Sequence, residues 1–214
     1  MPAEIFTIHY ETPEQQKIRK VVDILNNGGV ILYPTDTGFS LGAKISNKNA
    51  IEKLRKIRGF GENHPLTFLC NDITNISEFA KVSNEAYRTI KRLIPGPFTF
   101  ILPASKAVPK YTQNPKRKTA GIRVPDNRLC KALLMELGEP LICTTAKLKD
   151  EDWHSPEDFI DAYKKLVDAS VRTNEYHFVG ESTVIDMNTD DFELIRVGAG
   201  IELLKGLIDY DDLD

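Results

Sequence analysis

Gly28-Gly29-Val30-Ile31-Leu32-Tyr33-Pro34-Thr35-Asp36-Thr37-Gly38-Phe39-Ser40-Leu41 sets the architecture of this chain. Val30–Tyr33 is an uninterrupted apolar run of strand length, the pattern of a strand buried on both faces of a helix-flanked sheet. Pro34 to Gly38 supplies a turn, and Phe39–Ile45 reads as a second strand. The turn presents two hydroxyls and a carboxylate within three residues. Such a turn can offer donors to a small polar ligand at a strand end. It can equally close on itself through Asx and Ser/Thr hydrogen bonds.

Outward from this stretch, helix and strand signals alternate. Ile5–His9 reads as a strand. Thr12-Pro13-Glu14-Gln15 offers an N-cap, a proline at the first helical position and a capping-box glutamine. Ile18, Val21, Val22 and Leu25 follow at helical spacing, and Asn27-Gly28 stops the helix. Ala50, Ile51, Leu54 and Ile57 mark a second helix with a basic outer face, and Leu66–Cys70 returns as a strand. Asn71–Ile94 holds one or two helices, with Ser83 as an N-cap. Phe98–Leu102, Thr119–Val124 and Leu141–Thr144 read as strands, with a helix from about Asn127 to Leu137. Ser155-Pro156-Glu157-Asp158 opens a helix expected to run through Val167. Strands near Thr183–Asp186 and Glu193–Val197 and a weak terminal helix complete the chain. The region from about Lys149 to His154 is expected to be a mobile loop. The expectation is one α/β domain over residues 1–214, with a core from about 14 to 200.

The 214 residues are 41% hydrophobic and 28% charged, which excludes disordered, collagenous and coiled-coil classes. Leu93–Ser105 is uncharged but short and broken by three prolines, so a membrane span is not expected. No secretory signal is visible, and a cytoplasmic protein is expected. Cys70, Cys130 and Cys143 are scattered in apolar runs without a CxxC pair, and the four histidines have no ligand spacing. Neither a disulfide framework nor a protein-built metal site is expected. Residues 1–149 carry 23 Lys/Arg against 13 Asp/Glu, whereas residues 150–214 carry 5 against 18. A net +10 body suggests an anionic partner, nucleotide phosphate or RNA; charge compensation between the two segments explains it equally well.

Two basic segments carry the candidate chemistry. Lys53, Arg55, Lys56 and Arg58 place four cations in six residues before Gly59. They suit a helix C-terminus, or a polyphosphate clamp in which Lys supplies a point charge and Arg a bidentate fork. Lys56 and Arg58 diverge on a continuing helix and converge only if the chain leaves it near Ile57. In Lys116-Arg117-Lys118-Thr119-Ala120-Gly121-Ile122-Arg123-Val124-Pro125, Thr119, Gly121 and Arg123 share one strand face. From there Arg123 can bind a carboxylate, or it can sit at a solvated edge.

In order along the chain, six segments resemble the YrdC/YciO-like threonylcarbamoyl-AMP synthase family. They are Gly28–Leu41 (GGVIxxPTDTxxxLG), Lys56-Ile57-Arg58 (KxR), Pro95–Leu102 (PGPxTxIL), Thr119–Pro125 (TxxxRVP), Pro140–Ala146 (approximating PLxxTSA), and Ser182–Asp186 with Arg196-Val197-Gly198 (STVxD…RxG). The resemblance implies a YrdC/RibB-like fold: a twisted, open, mixed sheet flanked by helices, with a concave positive cavity. It also implies that L-threonine, bicarbonate and ATP, the last with Mg2+, give threonylcarbamoyl-AMP and pyrophosphate. That product feeds a tRNA threonylcarbamoyladenosine modification installed by partner proteins. By resemblance, Thr35, Arg123 and Thr145 hold threonine, while Lys56, Arg58, His64, Thr119, Lys147 and Arg196 hold the nucleotide. Lys56, Arg58 and Thr145 are then the residues nearest the chemistry.

The chain departs from the synthase pattern where Lys147 replaces an asparagine and Leu148-Lys149-Asp150 follows it. It departs again in a longer loop between Arg58 and Pro65, in His64 before that proline, and at Leu69. These features place it nearer the YciO branch. Lysine offers donors and no acceptor, so nucleotide binding with weak or absent turnover is expected. The competing expectation is a non-enzymatic tRNA-, double-stranded-RNA- or ribosome-associated protein that uses Lys116, Arg117 and Lys118. A third is a nucleotide-dependent enzyme acting on another substrate.

Overall fold

In the computed structural model, residues 3–61, 64–112, 116–148 and 155–207 are described. The chain runs β1 (Glu4–Ile8), α1 (Gln15–Asn26), β2 (Val30–Pro34), β3 (Phe39–Lys44), α2 (Lys48–Arg58), β4 (Thr67–Leu69), α3 (Ile73–Phe79) and α4 (Asn84–Leu93). It continues through β5 (Phe98–Pro103), β6 (Thr119–Arg123), α5 (Arg128–Leu137), β7 (Leu141–Thr145), α6 (Pro156–Tyr163), β8 (Ala169–Thr173), β9 (Thr183–Asp186) and β10 (Glu193–Arg196). The strands form one mixed sheet of ten in the order β1-β8-β2-β3-β7-β4-β6-β5-β9-β10. The mobile loop expected near Lys149–His154 falls outside the described residues.

Most helix ends follow their local chemistry. Asn47 caps α2 by accepting the Ala50 N–H at 3.0 Å, and Gly59 ends it in the left-handed region at φ 68°. Asn127 caps α5 in the same way, and Ser155 with Asp158 forms a reciprocal capping box on α6. Three expectations need correction. The first helix begins at Gln15, with Glu14 rather than Thr12 at the cap position. Thr12 turns back so that its hydroxyl meets His9 Nδ1 at 3.2 Å, while the Glu14 carboxylate accepts the His9 N–H at 2.9 Å. The helix opened by Ser155 stops at Tyr163, short of Val167. The residues beyond it include β8, a strand that local pattern does not reveal. Its Ser170 and Arg172 interrupt the apolar run, and its place comes from parallel pairing to both β1 and β2.

The helices divide unequally between the two faces of the sheet. Helices α2, α3, α4 and α6 cover one face along its length, packing on Leu32, Leu41, Phe68, Phe100, Ile122 and Ile142. On the other face, α1 and α5 cover the half built from β1, β8, β2 and β7 through Ile18, Val22, Leu129 and Leu133. That packing stops short of β6, β5 and β9. A fully buried Leu, Ile or Phe contributes about 1.5–3 kcal/mol, so an uncovered strand face costs least where most of its side chains are polar. Thr67, Thr99, Thr119 and Arg123 occupy that face, and they line a cavity.

Candidate functional site

The cavity has a volume of about 300 Å³. Its floor follows from strand periodicity. On β6, Thr119, Gly121 and Arg123 face the cavity while Ala120 and Ile122 enter the core, as their alternation predicts. On β5, Thr99 and Ile101 face it while Phe98 and Phe100 turn inward. Ser40, Thr67 and Thr145 add hydroxyls from β3, β4 and β7. Gly121 leaves the middle of the floor low: a Cβ there would have no neighbour closer than 3.7 Å.

At the inner end of the cavity, Arg123 forms a buried ion pair with Asp36, both side chains being less than a tenth exposed. Its second arm donates to Thr37 Oγ1 at 2.5 Å, and its Nε–H, also buried, has no hydrogen-bond partner among the described residues. The other Asp36 oxygen accepts the Asp126 N–H at 3.1 Å. Thr35 is engaged within its own turn, where its Oγ1 donates to the Gly38 carbonyl at 2.8 Å and accepts the Thr37 N–H at 3.1 Å. Thr35 is buried behind the wall, and Thr37 is the threonine of this turn that lines the cavity.

At the outer rim, Arg196 donates through Nε to the Ser182 carbonyl at 2.9 Å and through one terminal nitrogen to the same carbonyl at 2.6 Å. Its other terminal nitrogen lies 3.2 Å from Glu181. Glu181 also pairs with Lys147 Nζ at 3.7 Å. The Tyr163 hydroxyl fixes the Lys147 backbone, accepting its N–H at 3.1 Å and donating to its carbonyl at 2.8 Å.

The basic helix end serves two purposes. Lys53 pairs with Asp168 at 2.6 Å, and buried Arg55 donates to the carbonyls of Gly61 and His64 at 3.1 and 2.5 Å, which shapes the loop. Helix α2 continues through Arg58, so Lys56 and Arg58 do not converge by an early exit at Ile57. Both instead line a second cavity of about 720 Å³, which Lys147 shares. The Arg58 guanidinium lies 5.0 Å above the Phe60 ring, and Phe60 stacks on His64 at 3.6 Å. His64 lines the first cavity. Partial burial, then the charges of Arg55 and Arg58, hold its pKa below the ordinary 6.5.

The residues expected at the site therefore fall into three groups. Arg123, Thr119, His64, Thr145 and Arg196 share the first cavity. Lys56, Arg58 and Lys147 share the second. Thr35 lies on neither lining. Lys116 and Lys118 are exposed, and Arg117 reaches Asp186 at 2.9 Å while lining the first cavity. Glu181, Asp36 and Thr37 take positions that the motif reading did not assign. The Lys53–Asp168, Arg117–Asp186 and Lys147–Glu181 pairs also join the basic body to the acidic C-terminal segment.

Among the described residues no three His, Cys, Asp or Glu side chains gather as a metal site. All three cysteines are buried, and burial pushes Cys143, on the cavity wall, up to about 11. It remains a neutral thiol at physiological pH. No described helix is long and apolar enough to cross a membrane.

This geometry has counterparts among known proteins. The family described as Telomere recombination (Sua5/YciO/YrdC) matches residues 23–198. The uncharacterized protein YciO of Escherichia coli (strain K12) is 39% identical, covering 92% of this chain and 97% of its own. The crystal structure of E. coli YciO superposes with a TM-score of 0.85 over 96% of this chain and 100% of its own, at 38% identity. The Pyrococcus abyssi Sua5 structure complexed with L-threonine gives a TM-score of 0.86 at 25% identity, over 95% of this chain and 60% of its own. A putative threonylcarbamoyl-AMP synthase of Methanocaldococcus jannaschii is 28% identical over 88% of this chain and 90% of its own.

Proposed function

The chain belongs to the Sua5/YciO/YrdC family, and from that premise we propose that it is an L-threonylcarbamoyladenylate synthase-like nucleotidyltransferase. With loss of water, the amino group of L-threonine and bicarbonate condense to a carbamate. Its oxygen attacks the α-phosphorus of ATP, and the bond to pyrophosphate breaks. The product is a precursor for tRNA threonylcarbamoyladenosine, completed by partner proteins. The observation that supports this reading most is the first cavity itself. It sets Arg123, Arg196 and His64 among strand hydroxyls in a fold that matches a threonine-complexed Sua5.

The chemistry requires orientation and charge more than a protein nucleophile. Arg123, on the floor of the first cavity, suits the threonine carboxylate, and Thr145 suits the amino-acid end. Arg196 and Thr119 suit the adenylate. Lys56 and Arg58 suit the departing pyrophosphate, whose charge grows as the bond breaks, and Lys147 suits a bound phosphate in the ground state. Magnesium belongs to the substrate here, carried in with ATP.

Titrating ATP and L-threonine separately by calorimetry tests the reading. Each is expected to bind alone. Binding of RNA with neither small molecule would contradict it and favour the RNA-associated alternative. In that case affinity would fall steeply with salt, and Ala substitution of Lys116, Arg117 and Lys118 together would weaken it.

A further inference from the structure

Glu181 lines the first cavity and bridges one cation from each of the two cavities. Its carboxylate is 3.2 Å from Arg196, which lines the first cavity, and 3.7 Å from Lys147, which lines the second with Lys56 and Arg58. One carboxylate thus ties a cation of the first cavity to a cation of the second. The geometry points to Glu181 as a resident counter-anion: it holds the place of a phosphate between Lys147 and Arg196, and a polyphosphate spanning both cavities displaces it. This inference rests on the reading of the cleft as a nucleotide site and adds the group with which the nucleotide competes.

The contact is built to open. Lys147 and Glu181 side chains are 61% and 55% exposed, and 3.7 Å is an ion pair rather than a hydrogen bond. Such a pair is weak and screened by salt. The anchors beneath it are firm. Tyr163 clamps the Lys147 backbone, and the Glu181 carbonyl accepts the Ala199 N–H at 2.8 Å. Arg196 is held on Ser182 through Nε and one terminal nitrogen, so the arm facing Glu181 can change partner without the side chain moving. A phosphate brings more charge and more acceptor oxygens than a carboxylate, and so wins the exchange between two cations.

The test is calorimetric titration of inorganic tripolyphosphate and of ATP into wild type, Glu181→Gln, Lys147→Ala and the double variant. Gln keeps the shape of a side chain that is more than half exposed, so folding is not at stake. Glu181→Gln is expected to tighten both ligands roughly 2- to 10-fold at low ionic strength. The gain should shrink in high salt and in the Lys147→Ala background. Unchanged affinity in Glu181→Gln overturns the inference. Weaker affinity also overturns it, and would mark Glu181 as a group that holds the ligand or its magnesium. Failure of every variant to bind either ligand overturns both this inference and the nucleotide reading. Binding that ignores Glu181 overturns the inference alone.

Discussion

Asp36 and Arg123, 87 positions apart in the chain, meet as a buried ion pair at the inner end of the cavity. Asp36 comes from the turn after β2 and Arg123 from the end of β6, so the pair locks the turn to the cavity floor. Removing one partner leaves the other charged and buried. Asp36→Ala is therefore expected to cost about 3–5 kcal/mol of stability, read as a lower urea midpoint. An apolar pair, Asp36→Leu with Arg123→Met, should recover part of that loss. A single variant as stable as wild type would show that the pair holds nothing.

Arg58 is the proposed nucleotide contact most open to direct test. Its guanidinium rests on Phe60 and faces the second cavity beside Lys56. Arg58→Ala should remove a charge-assisted contact of about 1.5–3 kcal/mol, a loss of roughly 10- to 150-fold in ATP affinity. Calorimetry showing the wild-type affinity would exclude Arg58 from the site.

His64 gives the site a pH dependence of definite sign. Its pKa in the folded protein lies below 6.5, because burial and the charges of Arg55 and Arg58 disfavour the imidazolium. Below that pH the unfolded chain binds this proton more readily than the folded one. The His64 contribution is thus complete above about 6.5 and declines as pH falls through the unfolded value. His64→Phe keeps a ring on Phe60 but cannot titrate, so its urea midpoint should fall less than that of wild type between neutral and mildly acid pH. Parallel pH profiles for the two proteins would contradict this.

Much of the cavity floor was legible in the sequence, because strand period alone puts Thr119, Gly121 and Arg123 on one face and Ala120 and Ile122 on the other. The Pro34–Gly38 turn was legible only as an open choice. Thr35 closes the turn and Thr37 faces the cavity, a division that depends on which hydroxyl Arg123 reaches. Glu181 was not legible as a site residue. Its partners, Lys147 and Arg196, lie on other segments, and nothing in local spacing ties a carboxylate to distant cations. Strand β8 escaped for the same kind of reason, since its burial comes from neighbours on both sides rather than from its own pattern.

Gly198 fixes the rim by close approach. A Cβ there would lie 2.3 Å from the Glu181 carbonyl oxygen and 2.7 Å from the Ser182 carbonyl carbon, both backbone atoms that cannot swing away. Gly198→Ala must push apart the segments that carry Arg196 and Glu181. A loss of about 1–3 kcal/mol is expected, together with weaker ATP binding. Thermal melting and titration that match wild type would contradict the close packing described.

Pyrophosphate release measured with L-threonine, bicarbonate and ATP, each omitted in turn, decides whether the protein is a synthase. Slow release that requires all three is expected. A faster rate is expected in Lys147→Asn, which restores a hydrogen-bond acceptor at that position. Release that persists without threonine or bicarbonate, or its absence from both proteins while ATP still binds, would rule out synthase activity.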